Sequence, residues 1–277
     1  MWLPLIGIGA LVGGLGSLVG AGCGILLVPI LILGFHLQAP IAAGTSLSTV
    51  FVNSVASTTA YHKQRRTDYV SGALFALASV PGAVLGTLAA PYVPEHAFQV
   101  VFGGVLAFAA IVMLSRALRP VVVHAAAKRE IVAEIERAVP RAWHVVIRRF
   151  VDGRGKEHVY AYSVPVVLAI GLGAGILSAI LGIGGGIVQV PAMVMLLAFP
   201  AHVATATSQV ILLFTTSTGA AAHAMQSNIN VSYAIPLALG ALVGAPSGAF
   251  LSRRLDAKWI VALLACVMLV VAVRLVF

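Results

Sequence analysis

The stretch that decides the fold is LSAILGIGGGIVQVPAMVML, residues 177–196. A run of glycines at 182–186, interrupted only by Ile183, lies inside this apolar segment, and Pro191 follows five residues later. In a soluble protein such a run would indicate a phosphate-binding loop, but apolar flanks on both sides predict a helix that breaks inside a membrane. Non-helical backbone at membrane depth is tolerated only where it is buried in protein or lines a cavity. This stretch is therefore the first candidate for a binding site.

Composition places the whole chain in a membrane. Of its 277 residues, 60% are hydrophobic and only 9% are charged, and the mean hydropathy is +1.05. A soluble domain has about 25% charged residues. Apolar stretches of roughly 20 residues, the length that spans a bilayer, recur along the chain, whereas the ~10-residue alternating segments of a membrane barrel do not. These features predict an all-α polytopic membrane protein.

Cysteine usage and charge argue against other classes. Cys23 and Cys266 both lie in apolar runs and no CxxC motif occurs, which argues against disulfides and cysteine-rich metal sites. The net charge of +9 comes mainly from loops and one insert, as the positive-inside rule predicts. We therefore expect no nucleic-acid partner, no metal and no cofactor.

The chain contains an internal repeat at an offset of 162 residues. The offset carries Pro29 onto Pro191 and Thr45-Ser46 onto Thr207-Ser208. It also carries the glycines at 20, 22, 24, 82 and 86 onto those at 182, 184, 186, 244 and 248. We therefore divide the chain into a first transmembrane repeat, residues 1–115, an insert, residues 116–163, and a second transmembrane repeat, residues 164–277.

The insert differs in kind from both repeats. It holds ten of the 17 basic and five of the eight acidic residues. Residues 128–137 (KREIVAEIER) are predicted to form an amphipathic helix with Ile131 and Ile135 on one face. Residues 143–151 and 156–162 are predicted to form a β-hairpin. We expect a small soluble module on the cytoplasmic side, whose charges form a solvated face.

Charges at equivalent loops predict opposite orientations of the two repeats. Residues 62–68 contain three basic residues, whereas residues 226–230 contain none. The only charged residue at 91–95 is Glu95, whereas the equivalent region of the second repeat contains the basic residues Arg253, Arg254 and Lys258. Because basic residues favour the cytoplasmic side, this reversal predicts two inverted-topology repeats. Eight plain helices with parallel repeats are the alternative.

Two short apolar segments complicate the count of crossings. Residues 25–35 and 187–199 are too short for full spans at about 1.5 Å per residue. We therefore predict that each repeat has a full helix followed by a re-entrant or broken hairpin, with its apex near residues 36–46 or 198–208. Two hairpins that enter from opposite faces would meet near the bilayer midplane.

The residues expected at membrane depth favour a small anion. All eight Asp and Glu residues lie in loops or the insert, and a buried cation usually needs such a carboxylate, which leaves only backbone carbonyls for Na⁺. Glycine N–H groups, hydroxyls and amides are donors, and helix N-termini add partial positive charge. The predicted substrate-binding residues are Gly22, Cys23, Gly24, Thr45, Ser46, Asn53, Gly184, Gly185, Gly186, Gln189, Thr207, Ser208 and Gln209.

Each of these features has a structural alternative. Glycines in membrane helices also permit close packing, hydroxyls bond to carbonyls of their own helix, and the Thr-Ser pairs are candidates for helix N-caps. Cys23 is either a small packing residue or a thiol near a sulfur substrate. His36, His202 and His223 fall at predicted span edges or breaks, where an interfacial or hydrogen-bonded histidine is the alternative to a proton carrier.

No enzyme motif accompanies the repeat. The motifs HExxH, GxSxG and GxxxxGK[ST] are absent from the sequence. The run GIGGGI also departs from the dinucleotide fingerprint GxGxxG, and it follows a predicted helix where that fingerprint needs a strand. We therefore expect a protein that is not an enzyme.

The glycine segments resemble a known family. Residues 175–191 read GxxSxxxGIGGGxxxVP, a weaker copy ends in Gly22-Cys23-Gly24 and Pro29, and a Thr-Ser pair follows each. Together with the insert hairpin and its DGxG turn, these motifs are similar to the TauE/SafE family of sulfite exporter-like permeases. The resemblance covers nearly the whole chain and implies a prokaryotic inner-membrane permease for sulfite, organosulfonates such as sulfoacetate, or related sulfur anions. Cys23 departs from the glycine expected in the first run.

The residues and the resemblance together predict a secondary transporter. Its substrate would be a small sulfur-containing oxyanion, moved by alternating access at a site between the repeats. A proton or Na⁺ is the candidate coupling ion, and a monomer or homodimer the candidate assembly. One alternative is another small anion such as thiosulfate, sulfate or a carboxylate. The alternative from a different class is a non-transporting membrane scaffold or sensor whose insert binds a partner.

Overall fold

The computed structural model describes residues 2–118, 145–151, 155, 157–197, 199–252, 265 and 268–274. These residues form helices and one two-stranded sheet. The helices of the first repeat are α1 (Trp2–Val19), α2 (Gly24–Pro29) with a π-helical turn (Ile30–Gly34), α3 (Ala39–Lys63), α4 (Tyr69–Ala89) with a 3₁₀ turn (Ala90–Tyr92), and α5 (Glu95–Leu118). Those after the insert are α6 (Val164–Leu181), α7 (Gly186–Met195), α8 (Ala201–Met225) and α9 (Val231–Leu251).

Six of the described helices are long and apolar enough to cross a membrane, namely α1, α3, α4, α5, α6 and α9. This confirms the predicted helical membrane protein. The helix α8 has 25 residues, as many as α3, but it is not among the six. Five of its Thr, Ser and Gln side chains are nevertheless buried, namely those of Thr207, Ser208, Gln209, Thr215 and Thr216.

Glycines end α1 and α6 in the same way. Gly20 and Gly182 have φ angles of 80° and 73°, in the left-handed region that commonly ends a helix at glycine. Each donates its N–H to a carbonyl four residues back, at 2.9 Å for Gly20 and 2.8 Å for Gly182. The helices that follow are short: α2 and its π turn have six and five residues, and α7 has ten.

Glycine contacts give the relative directions of the long helices. A Cβ on Gly240, Gly244 or Gly248 of α9 would clash with the carbonyls of Ile6, Ala10 and Gly14 of α1, respectively. Both series ascend together, so α1 and α9 run parallel in close backbone contact, as small residues allow in membrane helices. The helices α4 and α6 are also parallel, because Gly171 meets Phe75, Gly175 meets Ser79 and Gly86 meets Ile176.

Contacts within three further pairs of helices give the remaining relative directions. The helices α1 and α3 are parallel, because Gly13 faces Asn53 and Ser17 is hydrogen-bonded to Ser57. The helices α4 and α8 are parallel, because Asp68 contacts Thr207 and Gly72 faces Val210. The helices α3 and α8 are antiparallel, because Gly44 faces His223 and Gly219 faces Leu47. Hence α1, α3 and α9 point one way, and α4, α6 and α8 point the other.

The insert contributes the sheet. Strands β1 (Val145–Val151) and β2 (Glu157–Ser163) pair antiparallel, with Val145 opposite Ser163 and Val151 opposite Glu157. This confirms the predicted hairpin. The amphipathic helix predicted at residues 128–137 lies outside the described residues. Strand β2 continues directly into α6, so the hairpin lies against the membrane helices and is not suspended on a linker.

Candidate functional site

The two glycine runs meet at a crossing of the two repeats. A Cβ on Gly24 would come within 2.5 Å of the carbonyl oxygen of Gly182, and one on Gly186 within 2.6 Å of the carbonyl oxygen of Gly20. These two contacts are the same contact under the offset of 162 residues. Both positions therefore require glycine because the backbone of the other repeat occupies the space. We call residues 20–24 and 182–186, where they meet, the glycine crossing.

The serines of the Thr-Ser pairs bind the glycine crossing from the opposite repeat. Ser46 Oγ donates to the carbonyl oxygen of Gly182 at 2.8 Å, and Ser208 Oγ lies 2.7 Å from the carbonyl oxygen of Gly20. Both side chains are fully buried. The offset again maps one bond onto the other. Each repeat thus supplies the serine that fixes the helix-ending glycine of its partner repeat.

The threonines of the same pairs act as acceptors. Thr207 Oγ1 accepts the backbone N–H of Asp68, which precedes α4, at 3.0 Å. Thr45 Oγ1 accepts the backbone N–H of Asn230, which precedes α9, also at 3.0 Å. These bonds satisfy amides outside the helices that carry the threonines, so neither threonine is an N-cap of its own helix. The Thr-Ser pairs therefore join three helices at each equivalent position.

Backbone angles explain why the first glycine run contains a cysteine. Gly22, Gly184 and Gly185 have φ angles of 77°, 85° and 82°, a region that side chains rarely adopt. Cys23, the counterpart of Gly185, has φ −80° in the ordinary right-handed region. A side chain is therefore tolerated at 23 but strained at 185. The Cys23 side chain is buried in an apolar cluster with Leu27 and Val50, which favours its alternative as a packing residue.

Several buried polar atoms near the crossing have no hydrogen-bond partner. They are Nε2 and Oε1 of Gln209, Oε1 of Gln189, Oγ of Ser178 and Nδ2 of Asn53, and all four side chains are fully buried. Leaving such a group unpaired costs about 1–3 kcal/mol. Unpaired buried polar groups occur at functional sites and where a water molecule or an ion binds.

Helix geometry places Gln209 beside the crossing. Side chains three and four residues apart share one face of a helix. Gln209 follows Thr205 by four residues and precedes Leu212 by three, and these two contact Gly20 and Gly22, respectively. Its amide therefore belongs to the face of α8 that covers the first glycine run. The equivalent residue in the first repeat is Leu47, so the site is not symmetric.

Gln189 and Ser178 flank the second run. A Cβ on Gly185 would lie 3.3 Å from Cβ of Ser178 and 3.5 Å from Nε2 of Gln189. That nitrogen donates to Ser79 at 3.2 Å, which leaves the carbonyl oxygen of Gln189 unpaired. Asn53 lies one helical turn beyond Val50, whose side chain covers Gly22 and Gly184.

The crossing carries no formal charge among the described residues. Asp68, Glu95 and Glu157 are the acidic residues described, and each lies outside or at the first residue of a helix. No group of three or more His, Cys, Asp or Glu side chains that could hold a metal ion occurs in the described part of the chain. The crossing thus offers neutral donors in a buried setting. Because these groups are fully buried, a ligand reaches them only if helices move.

Two buried polar residues have hydrogen-bond partners that the sequence did not predict. His223 is fully buried within α8, and its Nε2 lies 3.0 Å from the carbonyl oxygen of Ala179. Its counterpart Tyr61 donates to the carbonyl oxygen of Ser17 at 2.7 Å, so His223, in the last turn of α8, repeats a structural bond. This favours the alternative of a hydrogen-bonded histidine. The offset alone would have indicated this equivalence.

The second residue is Asp68, which is 2% exposed. Its carboxylate accepts hydrogen bonds from Ser71 at 2.6 Å and Tyr160 at 2.6 Å, and from Arg148 at 3.1 Å. Burial raises the pKa of this carboxyl, but the hydrogen bonds it accepts and the charge of Arg148 outweigh burial, so its pKa lies below the ordinary value. The only sequence signal was an aspartate before an apolar run, a common N-cap.

A sequence model of the family described as "Sulfite exporter TauE/SafE" matches residues 5–275. The chain belongs to the TauE/SafE family. This confirms the resemblance read from the glycine segments. TauE/SafE is a family of membrane transporters, which confirms the transporter class and fits the expectation of a protein that is not an enzyme.

Two relatives named as probable membrane transporters span most of the chain. A probable membrane transporter protein, YunE, of Bacillus subtilis (strain 168) is 33% identical over 280 residues, which cover 99% of this chain and 96% of the relative. A probable membrane transporter protein of Xylella fastidiosa (strain Temecula1 / ATCC 700964) is 27% identical over 260 residues, covering 91% and 85%, respectively. No solved structure matches the chain.

Proposed function

We propose that this protein is a secondary transporter of a small sulfur-containing oxyanion such as sulfite, sulfoacetate or another organosulfonate. The substrate would bind at the glycine crossing and move by alternating access. The observation that carries the proposal is the set of unpaired, fully buried donors around this crossing, namely Nε2 of Gln209, Oγ of Ser178 and Nδ2 of Asn53. Oxyanions bind well to several converging neutral donors, and a fixed cation that would retain them is not required.

The proposed architecture is a pair of inverted-topology repeats. The offset of 162 residues makes α6, α8 and α9 the counterparts of α1, α3 and α4. In each of these three pairs the two helices point in opposite directions, by the contacts described above. Opposite directions of equivalent helices support inversion and argue against the alternative of parallel repeats.

The short helices support the proposed re-entrant or broken hairpins. The α2 segment with its π turn is about 16 Å long and α7 about 15 Å, roughly half of the hydrocarbon core. Each starts at the glycine crossing and leads into a long helix that carries a Thr-Ser pair. Inverted repeats with discontinuous helices typically bind substrate at the repeat interface near the midplane.

The site would comprise the residues that the sequence indicated, with different roles. Gln209, Gln189 and Asn53 would supply amide groups. Ser46, Ser208, Thr45 and Thr207 already bind backbone groups, so they would hold the crossing together and reach substrate only after the helices move. The glycines at 22, 24, 184, 185 and 186, with Cys23, would form the backbone wall.

Membership of the TauE/SafE family supports a sulfur oxyanion over other anions. Thiosulfate, sulfate and small carboxylates share the chemistry of several acceptor oxygens and are the alternative substrates. A proton or Na⁺ is the proposed coupling ion, the bacterial inner membrane the proposed location, and a monomer or homodimer the proposed assembly. The hairpin side is proposed to be cytoplasmic, because the basic residues Lys63, Arg65 and Arg66 lie at the adjacent end of α3.

Uptake into proteoliposomes tests the function. Purified protein is reconstituted and offered labelled sulfite, sulfoacetate, thiosulfate, sulfate, lactate and Na⁺ separately. We expect saturable uptake of at least one sulfur oxyanion, and competition by the others. Uptake of none of these solutes, or of Na⁺ alone, would contradict the proposal and favour a membrane scaffold or sensor.

Reporter fusions test the inversion. A reporter active only in the cytoplasm is fused after Gln64, between α3 and α4, and separately after Ser227, between α8 and α9. These positions end equivalent helices, so inverted repeats place them on opposite sides of the membrane. We expect activity at Gln64 and none at Ser227. The same result at both positions would show that the repeats are parallel.

A further inference from the structure

Asp68 joins three parts of the molecule. Its carboxylate is bound to the hairpin through Arg148 of β1 and Tyr160 of β2. The same carboxylate caps α4 by accepting the backbone N–H groups of Val70 and Ser71 at 3.1 and 3.3 Å. Its backbone N–H is donated to Thr207 of α8. Hairpin, α4 and α8 therefore meet at one buried residue.

The bonds continue from this residue to the glycine crossing. Thr207 is followed by Ser208, whose hydroxyl binds the carbonyl oxygen of Gly20. Hydrogen bonds thus connect the hairpin to Asp68, Asp68 to the second Thr-Ser pair, and that pair to the first glycine run. Such a continuous series is a physical route by which a change at the hairpin reaches the site.

The hairpin also covers the connection between α7 and α8. Phe199 in this connection is 2% exposed. Its ring centroid lies 4.1 Å from that of Tyr160 and 5.9 Å from that of Tyr162. The hydroxyl of Tyr162 is hydrogen-bonded to Ser71 at 2.8 Å. The two tyrosines of β2 therefore clamp the start of α8 against the start of α4.

The equivalent place in the other repeat is built differently. The counterpart of Asp68 is Asn230, whose side chain caps α9 through Ser232 at 3.2 Å and carries no charge. The connection before α3 is covered there by a ring contact of Phe35 with Tyr233, whose centroids are 5.1 Å apart. Among the described residues, one end of the transporter is thus held by a buried carboxylate and a hairpin, and the other by neutral contacts.

We propose that the β1–β2 hairpin is a latch. Through Arg148, Tyr160 and Asp68 it holds the start of α8 against the start of α4, and its release gives access to the glycine crossing from the hairpin side only. This inference rests on the proposed function, because it assigns a regulation to the proposed site. Asp68 and Arg148 are positioning residues, since neither lies at the crossing. Whatever moves the hairpin would control access from that side.

Hydrogen exchange of Arg148→Gln tests the latch without any substrate. Arg149→Gln is the matched control, because Arg149 is the next residue of β1 and is exposed. In Arg148→Gln we expect exchange at residues 199–209 to rise about tenfold, the change expected from loss of one hydrogen bond between charged groups. Residues 39–47, the equivalent start of α3, should exchange as in the wild type.

Hydrogen exchange at the start of α3 distinguishes a latch from general loosening of the fold. Equal acceleration at residues 39–47 and 199–209 would mean that Arg148 only stabilises the fold, and would overturn the inference. No acceleration at 199–209 would overturn it as well. Arg148→Lys keeps the charge and should restore part of the protection.

Asp68→Asn provides a second variant that should fold. Asparagine already serves as the N-cap of α9 at the equivalent position 230. The substitution Asp68→Asn therefore removes the charge and keeps an N-cap for α4. It should accelerate exchange at 199–209 as Arg148→Gln does, and the double variant should add little. Additive effects in the double variant would overturn the proposed link between the two residues.

Uptake by the same preparations separates this inference from the proposed function. If Arg148→Gln loosens residues 199–209 in a protein that moves none of the anions, the latch stands and the proposed function fails. If the wild type moves sulfite while exchange in Arg148→Gln is unchanged, the proposed function stands and the latch fails.

Discussion

Gln209→Leu is expected to weaken anion transport strongly while making the protein more stable. The amide of Gln209 is fully buried and both of its polar atoms are unpaired. Removing such a group should raise the free energy of unfolding by about 1 kcal/mol or more. Leucine should fit, because Leu47 occupies the equivalent position of the first repeat. If the amide binds the anion, its loss should weaken affinity about 10- to 100-fold.

Gln226→Leu is the control for this result. The side chain of Gln226 is bonded to the carbonyl oxygen of Thr87 at 3.2 Å and to Asn228 at 3.0 Å. Its removal should lower the free energy of unfolding by about 1 kcal/mol and leave transport in place. Thermal unfolding in detergent and uptake in proteoliposomes measure both effects. A Gln209→Leu protein that transports normally, or that is destabilised like Gln226→Leu, would show that the amide is structural.

Gly182→Ala is expected to destabilise the protein strongly. Gly182 has φ 73°, which costs an alanine about 1–2 kcal/mol. An added Cβ would also lie 2.5 Å from Cα of Ala43, and overpacking against backbone costs about 1–3 kcal/mol more. We expect the free energy of unfolding to fall by about 2–5 kcal/mol. Uptake should be lost with the crossing.

Gly173→Ala is the matched control. Gly173 lies in the same helix, α6, and an added Cβ meets no atom within 4 Å. Alanine should be neutral or slightly stabilising there, because it favours a helix over glycine by up to about 1 kcal/mol. Chemical denaturation of the two variants and the yield of monodisperse protein measure the difference. Equal stability of Gly182→Ala and Gly173→Ala would contradict the described backbone of the crossing.

The sequence predicted which residues are equivalent but not which residues touch. The offset of 162 residues matched Ser46 with Ser208 and Gly20 with Gly182. It did not indicate that each serine binds the glycine of the opposite repeat, because an offset relates positions along the chain and carries no information about partners in space. The Thr-Ser pairs were therefore predicted as substrate donors, whereas in this structure they bind backbone groups.

Buried polar residues were harder to predict than the membrane class. Apolar length and low charge indicate a helical membrane protein for any arrangement of its helices. The burial of Asp68 depends instead on Arg148 and Tyr160, which lie 80 and 92 residues away. No local pattern reports such a contact. Gln209 and Gln189 were recognised because an amide in an apolar segment is conspicuous, but only the structure distinguishes their unpaired atoms from the bonded ones of Gln226.

Direct binding of sulfite to the purified protein tests the central claim most directly. Isothermal titration in detergent compares the wild type with Gln209→Leu under identical conditions. We predict saturable binding of sulfite to the wild type and at least about tenfold weaker binding to Gln209→Leu, which should remain folded. Sulfite binding of equal strength in the two proteins would contradict an anion site at the glycine crossing.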